Sequence, residues 1–560
     1  MTFTIIMILI IVFFILYDLI SRKDIDKKIK KWITDNWAKM PEQEPNEREA
    51  ASFSSYFNNW KINNSNEPYI DNITWNDLEM DKVFNRINNT ISTAGEEYLY
   101  SLLRRPVFIG SELKERSRLL DFFLKEKNVR EKVQFVLARL GKRRCIDVSD
   151  YFFNEDIIYK KRVLYYLLAG FFLLSAFFMV FVDIKIGAAA FALSLITNAT
   201  VYYRIKNSIE YRIIPLGYII QLVGTANTLM KLEIPELKAY REVLAEALAK
   251  VRKIGRKGFS LLSKAQNPIT EYAKSLLFAE LIAFESCHNL VVEYRIELKR
   301  IFDILGYIDS MISIASYREC AGVCCQPEFT GCREGKIHIN AVDLYHPLIK
   351  EPVTNTCSFV KPVLVTGSNA SGKSTFLKAV AISAIFAQTM AICLAREFRL
   401  SRCMVYTSMA LKDNLINKES YFIVELKSLK RIIDAVNTGL TCLCIVDEVL
   451  RGTNTVERIA ASSEVLASLG SRNCMCLAAT HDIELASILE GVYENYHFRE
   501  TVTQDNNVLF DYTLYPGKSS TKNALKLLKV MGYDNKIVSR AQARSDRFMK
   551  EGVWHRVQVT

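Results

Sequence analysis

Three stretches of the 560-residue chain carry no charge over a length that matters. Thr2 to Tyr17 is uncharged and resumes past Asp18 to Ile20. Val163 to Val182 is twenty residues without a charge, and Ile186 to Tyr203 is eighteen. The last two are separated only by Asp183-Ile184-Lys185. A helix needs about 20 apolar residues to cross a bilayer, with a usable range of about 17–25. The pattern therefore predicts an N-terminal anchor over residues 1–20 and a transmembrane hairpin over 161–204. Basic runs flank all three on one side: "SRKDIDKKIKK" after the first, "YKKR" before the second, "YYRIKNSIEYR" after the third. Basic flanks belong in the cytoplasm, so the N-terminus is expected outside and everything soluble inside. That is a multi-pass protein of the cell membrane. No basic residue precedes the first segment and no small-x-small site follows it, which favours an uncleaved anchor over a signal peptide.

Elsewhere the period changes. Residues 71–160 and 205–318 repeat apolar positions at three and four, as in "ELKAYREVLAEALAKV", so long amphipathic helices are expected there. The stretch between them and the first anchor, 21–70, is polar ("MPEQEPNEREA") and reads as a linker with an amphipathic helix. From 319 to 548 short apolar runs alternate with helical pattern: Val363-Leu364-Val365, "TCLCIVDE" and "NCMCLAATHD". These read as buried strands of a parallel α/β sheet. Residues 549–560 are a tail.

Composition narrows the class. Half the residues are hydrophobic, which excludes a disordered chain. A formal charge of +12 favours anionic partners, nucleic acid or anionic lipid. Thirteen cysteines lie without a disulfide-framework spacing, and several sit in apolar runs as small core residues. Cys320, Cys324, Cys325 and Cys332 cluster without the paired spacing of a zinc site, so packing is the expected role. The basic stretch Lys250 to Lys264 suits DNA backbone, lipid headgroups or a solvated turn. His288, inside a helical pattern, is expected to be a satisfied core histidine.

The chemistry is concentrated after Val365. Gly367, Gly372, Lys373 and Ser374 form the GxxxxGKS phosphate loop between a strand and a helix. Its backbone N–H groups, from Gly367 through Ser368, Asn369, Ala370, Ser371 and Gly372 to Thr375, would cradle phosphates. Lys373 would neutralise them, and the Ser374 hydroxyl would ligate Mg²⁺. Asp447 ends the next strand and is the second expected Mg²⁺ ligand. Glu448 beside it can polarise an attacking water, and His481 at a third strand end can sense the γ-phosphate. ATP and Mg²⁺ are the implied cofactors.

The motifs "TGSNASGKSTFLK", "DEVLRGTNTVERIAASSEVLASL", "AATHDIELA" and "DNLINKESYFIVEL" together resemble the MutS family of DNA mismatch-repair ATPases. The last is similar to a family helix ending in Ser-Thr-Phe-x-x-Glu, here Ser420, Tyr421, Phe422 and Glu425. "YHPLIKEPVTN" is similar to the stretch before the phosphate loop, and the Thr93–Gly95 region to the start of the family's helical core. Coverage is roughly 71–150 and 205–548. The resemblance implies an ABC-type P-loop ATPase domain, an all-α lever domain, DNA as partner and a dimer. It places Ser420, Arg451, Gly452, Thr453 and Asn454 at the dimer contact. Val353 and Asn355 fall with the nucleotide, Val353 standing where many members put an aromatic ring against adenine. Only about fifty residues separate the anchor from the helical core, too few for mismatch-reading and connector domains, and "FAE" at Phe278 lies in a helical stretch. A DNA-acting ATPase without mismatch reading is therefore expected. The alternatives are a nucleotide-gated membrane tether for DNA or protein, and a transporter-type ATPase, against which "RGTNT" stands in place of an LSGGQ-type signature. The hairpin interrupts the helical core, so coupling to the ATPase is expected rather than anchorage alone, with membrane lipid as a further partner.

Overall fold

The computed structural model describes residues 21, 23–41, 46–154, 158–262, 275–331, 337–368, 371–409, 421–451, 453–502, 508–518, 528 and 532–557. The N-terminal anchor segment, Cys332, Asn369, Ala370, Ser420 and Gly452 lie outside them. The chain divides into two compact units.

The first unit gathers residues 1–67, 85–102 and 118–320. Its described part is helical. The helices that matter below are α1 (Thr93–Arg104), α2 (Lys127–Leu140), α3 (Arg162–Phe181), α4 (Ile184–Met230), α5 (Lys238–Leu262), α6 (Ala279–Glu293) and α7 (Arg295–Cys320). Helices α3 and α4 are long and apolar enough to cross a membrane. Only 17% of the apolar window of each is buried within the protein, which does not suit a core helix of a soluble domain. Leu167, Leu174, Phe177, Phe181, Ile186 and Ile196 all point outwards. The hairpin turn is tighter than the sequence suggests. Asp183 caps α4 by accepting from the N–H groups of Lys185 and Ile186 at 2.8 and 3.0 Å, so Ile184 and Lys185 are already helical. The third apolar stretch is the first half of a 47-residue helix, about 70 Å long at the α-helical rise.

Small and polar residues set the hairpin's crossing. A Cβ on Gly187 would lie 2.2 Å from the Met179 Cα, so only glycine permits this approach. The hydroxyls of Ser175 and Ser194 meet at 3.1 Å. The Asn198 amide donates to the carbonyls of Leu168 and Leu276 at 3.2 and 3.0 Å. Helix α6 fastens the base of the hairpin. Buried Glu285 accepts from the N–H groups of Lys161 and Arg162, at 3.1 and 3.3 Å, where α3 begins. Lys206 pairs with Glu280 at 3.1 Å, and Tyr165 stacks on Phe278 at 5.6 Å. The helical run expected through Phe278 is broken there. Phe278 is the left-handed residue preceding α6, fully buried between the rings of Tyr165 and Tyr202. His288 is buried among Tyr151, Tyr159 and Phe284, as its helical pattern implied.

The N-terminus of α1 is seated on α7. Asp309 accepts from Ile91 N–H at 3.1 Å, Ser92 N–H at 2.8 Å and Ser92 Oγ at 2.6 Å. Burial pushes this carboxyl up to about 6 against those three donors.

The second unit gathers residues 68–84, 103–117 and 321–560. One sheet is built from β1 (Glu328–Thr330), β2 (Ile339–Leu344), β3 (Asn355–Phe359) and β5 (Glu397–Ser401), in the order β1-β5-β2-β3. The main sheet is built from β4 (Val363–Thr366), β6 (Met404–Ser408), β7 (Cys442–Asp447), β8 (Cys474–Thr480), β9 (Glu494–His497) and β12 (Tyr515–Pro516). Its order is β12-β9-β4-β8-β7-β6, and all of it is parallel except β12. A small antiparallel pair, β10 (Glu500–Val502) and β11 (Val508–Phe510), lies in the chain between β9 and β12. Every residue of β4, β7 and β8 is buried, which is why their sequences are continuous apolar runs. Cys442 and Cys444 sit opposite Cys474 and Cys476 as free core thiols. Residues 68–84 are fixed to this unit: Asp77 accepts from Thr407 Oγ1 at 2.6 Å, and Asp71 pairs with Arg431.

Gly95 faces Asp309 so closely that a Cβ would stand 2.1 Å from the carboxylate, whereas Gly224 in α4 has nothing within 4 Å. Gly95→Ala is therefore expected to cost about 1–3 kcal/mol of stability by overpacking. Gly224→Ala is expected to be neutral or stabilising by up to about 1 kcal/mol from helix propensity. Thermal unfolding of the two variants in detergent checks the contrast.

Candidate nucleotide site

The phosphate half is built where β4 hands over to α8 (Lys373–Thr389). Gly367 and Gly372 take φ values of 147° and 104°. A Cβ on Gly367 would come within 2.8 Å of the Phe498 carbonyl oxygen, so the turn requires glycine twice over. The loop carries the chain to the N-terminus of α8, where free backbone N–H groups and the helix dipole favour an anion. Lys373 is 4% exposed and donates to the carbonyls of Gly367 and Ser368 at 2.6 and 2.7 Å. Burial lowers its ammonium to about 8, although Glu448 and Asp447 pull the other way. Ser371 Oγ donates to Ser368 O at 2.8 Å, and the Ser368 hydroxyl donates to Glu500.

The acidic half comes from the ends of β7 and β8. Asp447 is buried, its carboxyl is raised by burial, and the Ser374 hydroxyl opposes that rise by bonding to it. Its second oxygen, Oδ1, is buried with no hydrogen-bond partner among the described residues. An orphaned carboxylate oxygen beside a serine hydroxyl is a donor set that fits a hard divalent cation such as Mg²⁺.

Glu448 leaves β7 with φ of 57°, its N–H bonded to Ala479 O at 2.9 Å. Its carboxylate meets both His481 Nε2 and the guanidinium of Arg451. Burial alone would raise this acid; His481, Arg451 and Lys373 outweigh it and hold the carboxyl below its ordinary range. His481 Nδ1 lies 2.9 Å from Gly367 O, so one imidazole joins the phosphate loop to the Glu448 carboxylate.

Behind this turn stands Glu425 on α9 (Tyr421–Asn437). It accepts from Leu450 N–H, and Leu450 is itself left-handed with φ of 59°. Thr453 and Asn454 precede α10 (Thr455–Gly470), where Asn454 Oδ1 accepts from Glu457 N–H at 3.0 Å as the helix cap.

Phosphate loop, carboxylates and a base-sized apolar wall line one cavity of about 510 Å³. Its apolar side is formed by Leu344, Ile349, Pro352 and Val353, faced by Phe498 and Tyr512. Asn355 also lines it, but its side chain is committed: Nδ2 donates to Tyr512 O at 3.0 Å and Oδ1 accepts from Leu514 N–H at 2.7 Å.

Residues 363–549 match the family described as MutS domain V, the ATPase domain of mismatch-repair proteins. Over 182 residues the chain is 30% identical to the DNA mismatch repair protein MutS of Thermus thermophilus, covering 32% of this chain and 22% of that one. MutS of Thermus aquaticus is similar to the same degree and extent. DNA mismatch repair protein MSH3 of Saccharomyces cerevisiae is 29% identical over 300 residues, covering 50% of this chain and 29% of that one. The chain thus carries a segment similar to MutS domain V over residues 363–549. It spans between a fifth and a third of the length of these relatives.

The structure brings together Val353, Asn355, Ser368, Gly372, Lys373, Ser374, Thr375, Glu448 and Arg451 around the cavity, with Gly367, Asp447 and His481 bonded to its walls. Arg451, expected at a dimer contact, pairs here with Glu448 of its own chain. Asn355 lines the cavity as expected, and its amide also holds the backbone at Tyr512 and Leu514. Tyr512 and Glu500 are missing from the sequence-derived site. Tyr512 belongs to no spaced motif, and its role comes from a left-handed backbone (φ 51°) that sets its ring beside Gly372. The aromatic contact absent at Val353 is thus available from the opposite wall.

The lowered Lys373 ammonium gives a pH prediction. A triphosphate favours the charged form, so binding raises the pKa and takes up a proton. About half a proton should be absorbed per nucleotide at pH 8, and affinity should fall as pH rises through 8. Calorimetry in buffers of different ionisation enthalpy reads this uptake, which Lys373→Ala should abolish.

Proposed function

We propose that this chain is a membrane-embedded MutS-type ATPase that hydrolyses ATP as a dimer and acts on DNA without reading mismatches. The observation that carries the ATPase reading is the joint placement of Lys373, Ser374, Asp447, Glu448 and His481 at the ends of adjacent parallel strands. In an open α/β sheet that crevice is the ligand site. Mg²⁺, held by Ser374 and Asp447, would neutralise phosphate charge there. Lys373 exchanges the carbonyls of Gly367 and Ser368 for phosphate oxygens. Glu448 orients and polarises the attacking water once Arg451 releases it, and His481 keeps the carboxylate in register with the loop.

Membrane embedding is supported by the outward-facing apolar residues of α3 and α4. The relatives' printed names as DNA mismatch repair proteins support DNA as the substrate. So does the excess of positive charge, including exposed Arg252 and Lys253 on α5. Grip by shape and charge rather than by wedge is supported by Phe278, which is buried under Tyr165 and cannot insert between bases. A second reading, a nucleotide-gated tether with slow turnover, is favoured by the Arg451–Glu448 pair, which occupies the water-activating group.

Two variants separate the readings. Lys373→Ala should lose ATP binding. Glu448→Gln should bind ATP normally and lose hydrolysis by about 100-fold or more, the range for a general base. Turnover of the detergent-solubilised chain, with and without duplex, branched and single-stranded DNA, measures both. Unchanged turnover in both variants refutes the ATPase; wild-type turnover too slow to be altered by Glu448→Gln selects the tether.

A further inference from the structure

A second cavity, of about 980 Å³, lies in the helical unit, remote in sequence from the nucleotide motifs. Residues 23–36 are helical and follow closely on the N-terminal apolar segment in the sequence. One wall of the cavity is this helix and the turn after it, through Lys28, Trp32, Asn36, Trp37 and Lys39. The other comes from the loop at Asn88–Ile91, α2 and α7. The walls are fixed. Asp26 pairs with Arg139 of α2 at 2.9 Å, and Ile33 is buried. The Arg130 guanidinium stacks over Trp37 at 3.4 Å. Ala38, left-handed at φ 55°, donates its N–H to Ser316 of α7 at 3.0 Å, and Asn89 Nδ2 donates to Lys39 O at 2.7 Å.

The lining has a definite chemistry. It includes three lysines, Lys28, Lys39 and Lys142, and no aspartate or glutamate. Lys142 is neutralised by Glu96 at 2.8 Å. Lys28 and Lys39 make no ion pair among the described residues. Beside them are Ile29, Met40 and Ile312 and the half-exposed ring of Trp32. Gln134, only 6% exposed, lines the same cavity, and its Oε1 has no hydrogen-bond partner among the described residues. Two uncommitted cations, an apolar ledge and a buried acceptor that lacks a donor describe the complement of an amphipathic anion bearing a hydroxyl.

We propose that this cavity is a binding site for a phosphoglycerol-type headgroup of an anionic phospholipid. The phosphate sits against Lys28 and Lys39, a headgroup hydroxyl donates to Gln134 Oε1, and the start of the acyl chains runs over Trp32 and Ile29. The same phosphate chemistry could be met by a dissolved glycerol phosphate. The lipid is favoured because the lysine-bearing helix follows directly on the apolar segment, where a headgroup layer would lie. The proposal rests on the membrane reading above and deepens it: the juxtamembrane helix selects the lipid beside the protein.

The test uses the full chain in detergent and native mass spectrometry. Phosphatidylglycerol, phosphatidic acid and phosphatidylcholine are titrated in turn, with alkaline extraction of native membranes run in parallel. Wild type should retain phosphatidylglycerol over phosphatidylcholine. The exposed pair Lys28→Ala/Lys39→Ala should lose about tenfold or more in that retention, with ATP turnover in detergent unchanged. Gln134→Leu should erase the preference for phosphatidylglycerol over phosphatidic acid, which lacks the headgroup hydroxyl. Millimolar glycerol 3-phosphate should not displace the lipid. A chain that resists alkaline extraction yet shows no phosphatidylglycerol preference, or keeps it in the double lysine variant, overturns the site and leaves the membrane reading standing. Displacement by glycerol 3-phosphate overturns the lipid as the source. Release of the wild-type chain by alkali overturns the membrane reading and this site with it.

Discussion

The chemistry of the MutS domain depends on how the backbone leaves β7. Glu448 and Leu450 are both left-handed although neither is glycine, a conformation that costs about 1–2 kcal/mol per residue. Two hydrogen bonds offset it: Glu448 N–H to the Ala479 carbonyl, and Leu450 N–H to the Glu425 carboxylate. The reversed turn aims Glu448 at the end of β8 instead of along β7. Only with that direction can its carboxylate meet His481, and through His481 the Gly367 carbonyl. An extended residue at 448 would send its side chain to the opposite face of the sheet from Asp447, as successive strand residues alternate. Glu425 is therefore part of the site at one remove. Burial raises its carboxyl, while the N–H groups of Leu450 and Arg451 favour the charged form.

A comparable logic operates at the base of the hairpin. The apolar surfaces of α3 and α4 face mostly outwards, so small residues and polar contacts fix their crossing. Gly187 permits backbone contact, Ser175 and Ser194 bond across, and Asn198 reaches two carbonyls. Glu285 caps the start of α3 from α6, and Glu280 holds Lys206 on α4. Both legs are thus fastened to one helix by charged or amide groups. Because α6 runs through a single break at Tyr294 into α7, the hairpin is tied to the same element that carries Asp309. One of these carboxylates, Glu285, is buried at the root of the hairpin, and the other, Glu280, is partly exposed.

Much of this was legible in the sequence. The parallel strands announced themselves as unbroken apolar runs. The phosphate loop, Asp447, Glu448 and His481 followed because each stands at a strand end, where position alone fixes direction. The hairpin was legible from length and charge. What was not legible depends on backbone handedness or on partners far away in sequence. Tyr512 is one aromatic among 26 tyrosines until its left-handed backbone places it beside Gly372. Asn355 has the residue type of a ligand contact, yet two bonds to the Tyr512–Leu514 backbone consume it. Phe278 reads as mid-helix because its neighbours keep the helical period; the break there satisfies ring stacking with Tyr165, which no local pattern encodes.

The site's polar groups are for the most part already spoken for, and that determines what nucleotide binding can gain. Lys373 is bonded to two carbonyls, Ser368 to Glu500, Glu448 to Arg451 and His481, and Ser374 to Asp447. A hydrogen bond exchanged for another contributes only about 0.5–1.5 kcal/mol net, so these residues supply direction more than affinity. Affinity would come from the helix N-terminus of α8, from Asp447 Oδ1, which has no hydrogen-bond partner among the described residues, through a cation, and from the apolar wall of Val353, Phe498 and Tyr512. Exchange also has a kinetic consequence. Each bond that a bound phosphate displaced would re-form on its departure, with the loop's own carbonyls and Glu500 as the returning partners. The Arg451–Glu448 pair follows the same rule. Whatever drew Arg451 away would free the Glu448 carboxylate of its guanidinium partner. Release of Glu448 would therefore require something that competes for Arg451, while the bond to His481 would keep the carboxylate at the phosphate loop.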